Sequence, residues 1–382
     1  MRRTLFTQDH EDFRLLVRDF LVREVVPVYE QWRHAGLVPR ELFTSLGKLG
    51  IIGTTVPEEY GGGGQDDYRY NVVIQEECAR ATVTLGGLRT HLDVVVPYFL
   101  GLADTGQRAR WFPGLASGEL YTAIAMSEPG AGSDLAGIAT TAVRDGDHYV
   151  LDGAKTFITG GYHADLVIVV ARTSTDPGNR RAGLTLFVVE KGMPGFTVGR
   201  KLDKLGLTVQ DTVELSFADV RVPAANRLGE EGKAFSYLGR NLAQERLAIT
   251  VGAVAQSRAA IDLTIAYVRD RKVFGQPVAH FQNTKFELAA MAAELEAAQA
   301  LLDAAVTAHV AGDLSAVDAA KAKLFCTEVQ GRVVDRCLQL HGGYGYILEY
   351  PIARLYADAR VSRIYGGTSE VMKTIISKSL GL

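Results

Sequence analysis

Small residues and hydroxyls are concentrated between Ile124 and Asp134, in the run Ile-Ala-Met-Ser-Glu-Pro-Gly-Ala-Gly-Ser-Asp. The run starts where a β-rich stretch ends. A loop of this composition exposes backbone N–H groups and the hydroxyls of Ser127 and Ser133, which could bind a flat ring system or a phosphate. It is not a dinucleotide-binding fingerprint, because Leu135 replaces the third small residue of that motif and no βαβ unit surrounds it. Taken alone, the run could equally be an ordinary turn.

A second candidate segment is Lys155–Gly161, where a strand pattern again ends in glycines. Strand alternation puts Phe157 and Thr159 on the same face. An aromatic ring beside a hydroxyl suits stacking and hydrogen bonding to a planar cofactor. The ordinary alternative is a core phenylalanine next to a threonine that faces solvent.

Three further candidate segments lie in the C-terminal half. Arg271–Gln282 begins with an arginine, which pairs well with phosphate oxygens, although Gly275 and Pro277 could simply form a turn between helices. Gln339–Tyr346 and Ile364–Glu370 each contain paired glycines, where backbone could approach a ligand closely. Each glycine pair could also be a helix C-cap.

Other kinds of active site have no support in the sequence. No HExxH or HxxxH spacing occurs, so we expect no metal site. The GxSxG motif that carries the nucleophilic serine of many hydrolases is absent. The four glycines Gly61–Gly64 follow no strand and precede no Lys-Ser/Thr pair, which favours a plain surface loop.

The elements that must position these segments fall into three regions, which we predict as domains 1–120, 121–231 and 232–382. Apolar residues recur at helical spacing in the first region. The second contains short β-rich runs divided by turn pairs such as Asp145-Gly146 and Asp152-Gly153. The third has helical patterns over about 234–269, 283–311, 314–340 and 351–380, with one apolar stripe from Leu288 to Ala305. The predicted fold is therefore α+β and multidomain: an N-terminal helical domain, a middle antiparallel β-barrel or sandwich, and a C-terminal four-helix bundle.

Composition narrows the class of protein. The 382 residues include 41 Lys+Arg and 44 Asp+Glu, a formal charge of −3, with 47% hydrophobic and 22% charged residues. These values exclude a disordered or disulfide-scaffold protein and do not favour a nucleic-acid partner. The three cysteines form no CxxC pair and are expected to be reduced and mostly buried. The longest apolar run, Leu166–Ala171, is far shorter than the roughly 18 residues of a membrane helix. We expect a cytoplasmic protein that binds no membrane.

Together the candidate segments resemble the acyl-CoA dehydrogenase family of flavoproteins, and most closely its long-chain branch. The resemblance runs in order from Phe6 to Leu380, and five motifs in the right order are far more specific than any one of them. The motifs are Ala125–Asp134, Lys155–Thr159, Arg271–Gln282, Gln339–Gly343 and Tyr365–Glu370. The likeness to the long-chain branch is carried by Gln339–Tyr346 and Leu348–Arg354.

The resemblance implies this same three-domain fold and a homotetramer, a dimer of dimers, that binds FAD between the β domain and the bundle. The positions implied to line FAD within one subunit are Ile124, Ala125, Met126, Ser127, Gly132, Ser133, Phe157, Ile158, Thr159, Thr368 and Glu370. The positions implied to reach the FAD of a neighbouring subunit are Arg271, Phe274, Gln282, Gln339, Leu340, His341, Gly342 and Gly343. Many relatives have Trp at the position of Phe157, so the ring area here is smaller.

The implied reaction is α,β-dehydrogenation of an acyl-CoA thioester to the trans-2-enoyl-CoA, in which a carboxylate removes the α-proton and the flavin takes the β-hydride. Such a base works best in a dry pocket, which raises its pKa. Many relatives carry the catalytic Glu at the position of Gly366, which has no side chain here. The long-chain and isovaleryl branches place it on the first bundle helix, where this chain has Glu245. We therefore predict Glu245 as the base and Gly366 as an N–H donor to the thioester carbonyl; the alternative is that Glu245 is an ordinary surface carboxylate.

The substrate partners follow from the same resemblance. The residues expected to line the substrate are Ser133, Ala243, Gln244, Glu245, Arg246, Gly366 and Gly367. A small residue at 366 leaves room beside the α-carbon, so long or branched acyl groups are favoured, and an electron-transfer flavoprotein is the implied electron acceptor. The alternatives on the same fold are a flavin-dependent oxidase or monooxygenase, a dehydrogenase of acyl groups on a carrier protein, and a non-catalytic flavin-binding subunit.

Overall fold

The computed structural model describes residues 3–382, and its N-terminal part is helical, as predicted. The seventh helix starts at a capping box: Asp104 Oδ1 accepts a hydrogen bond of 2.8 Å from the Gln107 N–H, and Gln107 Oε1 accepts one from the Asp104 N–H. A π-helical turn, His91–Val95, lies between the fifth and sixth helices. The helices are α1 (Gln8–Phe20), α2 (Tyr29–Ala35), α3 (Glu41–Lys48), α4 (Arg69–Arg80), α5 (Leu88–Thr90), α6 (Val96–Leu102) and α7 (Thr105–Ser117).

The middle part is a single eight-stranded sheet. Its strands are β1 (Thr122–Ala125), β2 (Thr141–Asp145), β3 (His148–Thr159), β4 (Leu166–Arg172), β5 (Leu184–Glu190), β6 (Phe196–Lys201), β7 (Thr212–Pro223) and β8 (Arg227–Leu228). The spatial order is β6-β7-β3-β2-β4-β5-β8, with β1 beside β4. Most pairs are antiparallel, but β1 and β2 each pair with β4 in parallel. The predicted β domain is thus confirmed, with these parallel pairs as a feature that the turn pattern did not indicate.

The prediction that Asp152-Gly153 divides two strands is wrong, because β3 continues through it. Two β-bulges interrupt the pairing of β3 with β7 instead. The first places an extra residue on β7, between the pairs Leu151–Val220 and Gly153–Phe217. The second places an extra residue on β3, between the pairs Lys155–Leu215 and Ile158–Val213. Glycine is required at 153 because a Cβ there would lie 2.5 Å from Thr140 Oγ1.

The C-terminal part contains three long helices and two short ones. They are α8 (Ala234–Asp270), α9 (Gln282–Val310), α10 (Ala316–His341), α11 (Pro351–Ala359) and α12 (Ser369–Ser379), with a small hairpin of β9 (Lys272–Val273) and β10 (Gln276–Pro277) after α8. The predicted single helix 351–380 is wrong. It is interrupted before α12, where Gly366 and Gly367 have φ of +62° and +94°, a left-handed backbone that other residues rarely adopt.

The bundle core lies between α8, α9 and α10. The predicted stripe on α9 is confirmed from Met291 to Ala305, since Met291, Leu295, Ala298 and Leu302 are buried there. Cys326 and Cys337 are buried free thiols and Cys78 is half-buried, in agreement with the expectation. Within residues 3–382, no helix combines the length and apolar character needed to cross a membrane.

The segment from His91 to Phe99 joins the domains. It contacts β1 on one side and α8 on the other. His91 Nδ1 lies 2.8 Å from Thr122 Oγ1 at the start of β1, and Gln244 on α8 donates a 3.0 Å hydrogen bond to the Asp93 carbonyl. The end of β1 and the middle of α8 therefore keep fixed positions on the two sides of this segment.

Candidate active site

Glu245 and Gly366 are neighbours in space. Arg246, the residue after Glu245, contacts Gly366 although 120 positions separate the two in the chain. A Cβ built on Gly366 would lie 3.5 Å from Glu245 Oε1 and 2.4 Å from Ile249 Cδ1. A side chain at 366 would therefore collide with Ile249 next to the Glu245 carboxylate. Among the described residues, the Gly366 N–H has no hydrogen-bond acceptor, which leaves it available to a ligand.

The surroundings of Glu245 combine burial with positive charge. Burial raises the pKa of its carboxyl group above the ordinary value, while the charges of Arg89, Arg246 and Lys323 oppose that rise. Lys323 is itself buried on α10, and burial lowers its pKa to about 8. The alternative that Glu245 is an ordinary surface carboxylate is thus not supported by its surroundings.

The other predicted substrate residues of this region lie around the same point. Arg246 is buried and faces the Gly366 carbonyl at 3.5 Å from its Nε. The Gly367 carbonyl accepts a 2.6 Å hydrogen bond from Lys323 Nζ. Ala243 is half-buried. The next residue, Gln244, donates the hydrogen bond to the Asp93 carbonyl described above. Lys323 was not predicted from sequence, because its role depends on α10 packing against the 366–367 segment.

A cavity of about 100 Å³ opens beside this cluster, between α4, α8 and the 355–365 segment. Its wall contains apolar side chains such as Leu92 and Ile249. It also contains polar groups that an alkyl chain does not need. The polar lining residues include Asn71, Gln75, Arg89, Asp93, Gln210, Gln256, Gln330, Asp358 and Ser362.

The predicted cofactor loop follows β1 directly. Ile124 and Ala125 are buried within the sheet, Met126 and Ser127 are half-buried, and Gly132 and Ser133 are exposed. The structure brings this loop beside the end of β3, since the Thr156 N–H donates a 2.9 Å hydrogen bond to the Ser127 carbonyl.

The end of β3 presents a ring at the surface. The bulge turns Phe157 outward with a φ of +60° and 69% of its surface exposed, while Ile158 is buried and Thr159 half-buried. The predicted shared face of Phe157 and Thr159 rested on regular strand alternation, which this bulge interrupts. In the part of the chain that the structure describes, the hydroxyls of Ser127 and Thr159 have no hydrogen-bond partner. An exposed ring beside two free hydroxyls fits a planar cofactor such as the isoalloxazine of FAD.

A buried ion pair fixes this loop, and sequence analysis missed it. Lys155 Nζ donates to Glu128 Oε1 at 2.8 Å and to the Val170 carbonyl at 2.7 Å. The Glu128 carboxylate also accepts hydrogen bonds from the N–H groups of Ala139 and Thr140. Burial lowers the pKa of Lys155 to about 8. Burial alone would raise the pKa of Glu128, but these hydrogen bonds hold it below its ordinary value.

A second depression brings together most of the residues predicted to reach a neighbouring subunit, but Phe274 and Gln282 do not line it. Arg271 and the run Gln339–Gly343 line it, and all of its lining residues belong to the C-terminal half. Phe274 is 96% exposed at the tip of the hairpin, and Gln282 is exposed at the start of α9. His341 differs from the others: its ring is buried, stacks on Tyr267 at 4.2 Å and is bonded to the Cys337 carbonyl. Its Nδ1 and its backbone carbonyl, which accepts a 3.0 Å hydrogen bond from the Tyr267 hydroxyl, are therefore already engaged within this chain.

Thr368 and Glu370 have a structural role in this subunit. The Thr368 hydroxyl caps α12 by accepting a 3.3 Å hydrogen bond from the Val371 N–H. Glu370 lies in the first turn, where a carboxylate is favoured by the helix dipole. Backbone and Thr368 hydrogen bonds lower its pKa.

Comparisons with known proteins cover the whole chain. The chain matches the N-terminal, middle and C-terminal domain families of acyl-CoA dehydrogenase at residues 7–119, 123–220 and 232–381. It is 44% identical to a long-chain specific acyl-CoA dehydrogenase of Sus scrofa over 99% of this chain and 88% of that protein. A crystal structure of acyl-CoA dehydrogenase from Geobacillus kaustophilus superposes with a TM-score of 0.97, at 45% identity and with both chains fully covered.

The cofactor is supported by a further relative. A glutaryl-CoA dehydrogenase from Mycobacterium smegmatis, solved in complex with FADH2, has a TM-score of 0.89 and 30% identity, covering 98% of this chain and 95% of that one. The planar-cofactor site described above agrees with this finding. The chain therefore belongs to the acyl-CoA dehydrogenase family, FAD-dependent oxidoreductases that act on CH–CH groups.

Proposed function

We propose that the protein catalyses the α,β-dehydrogenation of an acyl-CoA thioester with Glu245 as the base. The observation that carries this proposal is the geometry at Gly366. Gly366 lies against the Glu245 carboxylate, with 3.5 Å between Glu245 Oε1 and the position of a Cβ at 366, in a site where burial raises the pKa of that carboxyl group. A carboxylate with a raised pKa is a stronger base and suits removal of a proton from carbon.

The residues around Glu245 would act on the thioester in complementary ways. The unpartnered Gly366 N–H would donate to the thioester carbonyl, where negative charge develops as the α-proton leaves. Arg246 and Lys323 bind the carbonyls of Gly366 and Gly367. They would thereby hold this N–H in place and add positive charge near the developing anion. The proton moves from the α-carbon to a Glu245 oxygen.

FAD, when bound, would accept the β-hydrogen as hydride. Ser127 and Thr159 would hydrogen-bond its ring and Phe157 would cover it, with Ser133 near the substrate. Arg271 and the Gln339–Gly343 backbone would complete the FAD site of a neighbouring subunit in a homotetramer. We further propose an electron-transfer flavoprotein as electron acceptor and a long or branched acyl group as substrate, as the family resemblance implies. The name of the long-chain relative supports this choice of acyl group.

The role of Glu245 is tested by Glu245→Gln, which preserves shape and removes the base. We expect FAD binding to be unchanged and turnover to fall at least about 100-fold. Asp262→Asn is the matched control, since Asp262 is an exposed carboxylate on the same helix. A Glu245→Gln protein with most of the wild-type turnover would place the base elsewhere.

The reaction is tested by an anaerobic visible spectrum of the purified protein during titration with acyl-CoAs of different length and branching. Bleaching of the flavin band by an acyl-CoA is the expected result, and the preferred chain identifies the substrate class. A yellow protein that no acyl-CoA bleaches would contradict the proposal. Fast reoxidation by oxygen after bleaching would instead indicate an oxidase.

A further inference from the structure

Arg89 is a cation without a partner in the wall of the cavity. Among residues 3–382 its guanidinium has no hydrogen bond and no ion pair. It lies over the Tyr365 ring, whose centroid is 5.0 Å from Arg89 Cζ. Tyr365 directly precedes Gly366, so Arg89 stands beside the proposed reaction site. An arginine in a cavity normally binds a carboxylate or phosphate, because its five N–H groups match such oxygens.

Within residues 3–382, no nearby carboxylate forms a hydrogen bond or an ion pair with Arg89, although the charges of Asp93 and Glu245 act on it. Asp93 accepts hydrogen bonds from Asn71 at 2.6 Å and Gln75 at 2.9 Å, and burial raises its pKa to about 7. The Glu245 charge is shared among Arg89, Arg246 and Lys323, as described above. Arg89, Arg246 and Lys323 bring positive charge to this partly buried site, while burial raises the pKa of the Glu245 and Asp93 carboxyl groups, so an anionic ligand would be favoured there.

The rest of the cavity is polar at two further points. Gln75 Oε1 and Gln330 Oε1 are buried and have no hydrogen-bond partner. The amide nitrogens of both side chains are already used, by Asp93 and by Gln256 Oε1 respectively. A plain alkyl chain would leave both oxygens without a donor. A charged group that brings bound water would supply donors, because one water can bridge a carboxylate and an amide oxygen.

We propose that the acyl group of the substrate carries a carboxylate, which Arg89 binds within this cavity. This inference rests on the proposed function and adds a substrate class to it. Arg89 would contribute two parallel hydrogen bonds to the carboxylate, while Glu245 acts on the α-carbon nearer the thioester. The cavity wall at Gln75 and Gln330 would hold the accompanying water.

The test compares ω-carboxyacyl-CoAs of five to eight carbons with unsubstituted acyl-CoAs of the same lengths. For each pair, kcat/KM is measured for the wild type, Arg89→Gln and Arg89→Lys. We expect the wild type to prefer the carboxylated member at one length at least 10-fold. Arg89→Gln should lower that preference about 10- to 100-fold, as for loss of a charged hydrogen bond, and Arg89→Lys should retain part of it.

The ratio of kcat/KM for the carboxylated and unsubstituted acyl-CoAs separates recognition of the carboxylate by Arg89 from a general effect of Arg89 on the site. If Arg89 only tuned the charge of Glu245, both members of a pair would lose activity equally and the ratio would not move. An unchanged ratio, or a wild-type preference for the unsubstituted chain at every length, would overturn the proposal.

Binding without turnover gives a second readout. In Glu245→Gln, calorimetric titration with each pair should show tighter binding of the carboxylated ester, and adding Arg89→Gln should abolish the difference. If no acyl-CoA bleaches the flavin of the wild type but this difference is present, the proposed reaction fails while the carboxylate site stands. If bleaching occurs but the difference is absent, the carboxylate site fails alone.

Discussion

The Lys155–Glu128 pair allows a quantitative prediction. Lys155→Met removes a cation whose side chain is 0% exposed and leaves Glu128, 7% exposed, without its counterion. Breaking a buried ion pair by removing one partner typically costs about 3–5 kcal/mol. With an m-value of about 3 kcal/mol per molar urea, the unfolding midpoint should fall by at least about 1 M. The loop that carries Ser127 should also lose its anchor, since Lys155 binds the Met126 carbonyl at 3.2 Å. We therefore expect FAD content to fall as well.

The assay is urea unfolding followed by far-ultraviolet circular dichroism, together with the flavin-to-protein absorbance ratio. Arg180→Met is the matched control, because Arg180 forms a 2.9 Å pair with Asp134 in which both side chains are more than 60% exposed. Exposed pairs of this kind contribute about 0–1 kcal/mol. The double variant Lys155→Met/Glu128→Gln should recover part of the loss, because no unpaired charge stays buried. A Lys155→Met protein within 1 kcal/mol of the wild type would refute this reasoning.

Three further predictions concern the reaction site. As pH is lowered, kcat/KM should fall through the pKa of Glu245, which burial raises above 4.5; Lys323→Met should move this limb of the pH–rate profile to higher pH, because a cation favours the carboxylate. Gly366→Ala should lower the free energy of unfolding, measured in urea, by about 1–3 kcal/mol, because the new Cβ would lie 2.4 Å from Ile249 and φ at 366 is positive. In a protein that already carries Ile249→Ala, the same substitution at 366 should cost less. Thr368→Val should cost about 1 kcal/mol in the same assay through loss of the α12 cap, and an unchanged midpoint would contradict that role.

Periodicity was sufficient to predict the long helices. α8, α9 and α10 begin and end within two residues of the predicted bounds, because each has a continuous apolar stripe and clear Gly or Pro breaks. The final helix was predicted as one segment, 351–380, across Gly366-Gly367. Two adjacent glycines were the available signal for the interruption, since both adopt positive φ.

Turn-type residue pairs predicted turns less reliably where a neighbouring strand hydrogen-bonds to the same segment. Asp152-Gly153 has the composition of a hairpin turn, yet β7 pairs along both sides of it and makes it part of a bulged strand. The same limit applies to the site. Glu245 was found through its motif, but Arg89, Lys323 and the Lys155–Glu128 pair were not. Their importance comes from burial and from partners distant in the chain, which no local pattern records.

The paired bulges in β3 and β7 restrict how these strands can change in length. Each strand carries one extra residue, and the two offsets cancel, so both ends of the ladder return to the same register. A deletion in one strand alone would shift one end by a residue and turn its side chains to the opposite face. At one end those side chains include Ile158 and Thr159. A deletion in each strand, one per bulge, would leave both ends aligned. Natural or engineered insertions and deletions here should therefore be tolerated in matched pairs and not singly.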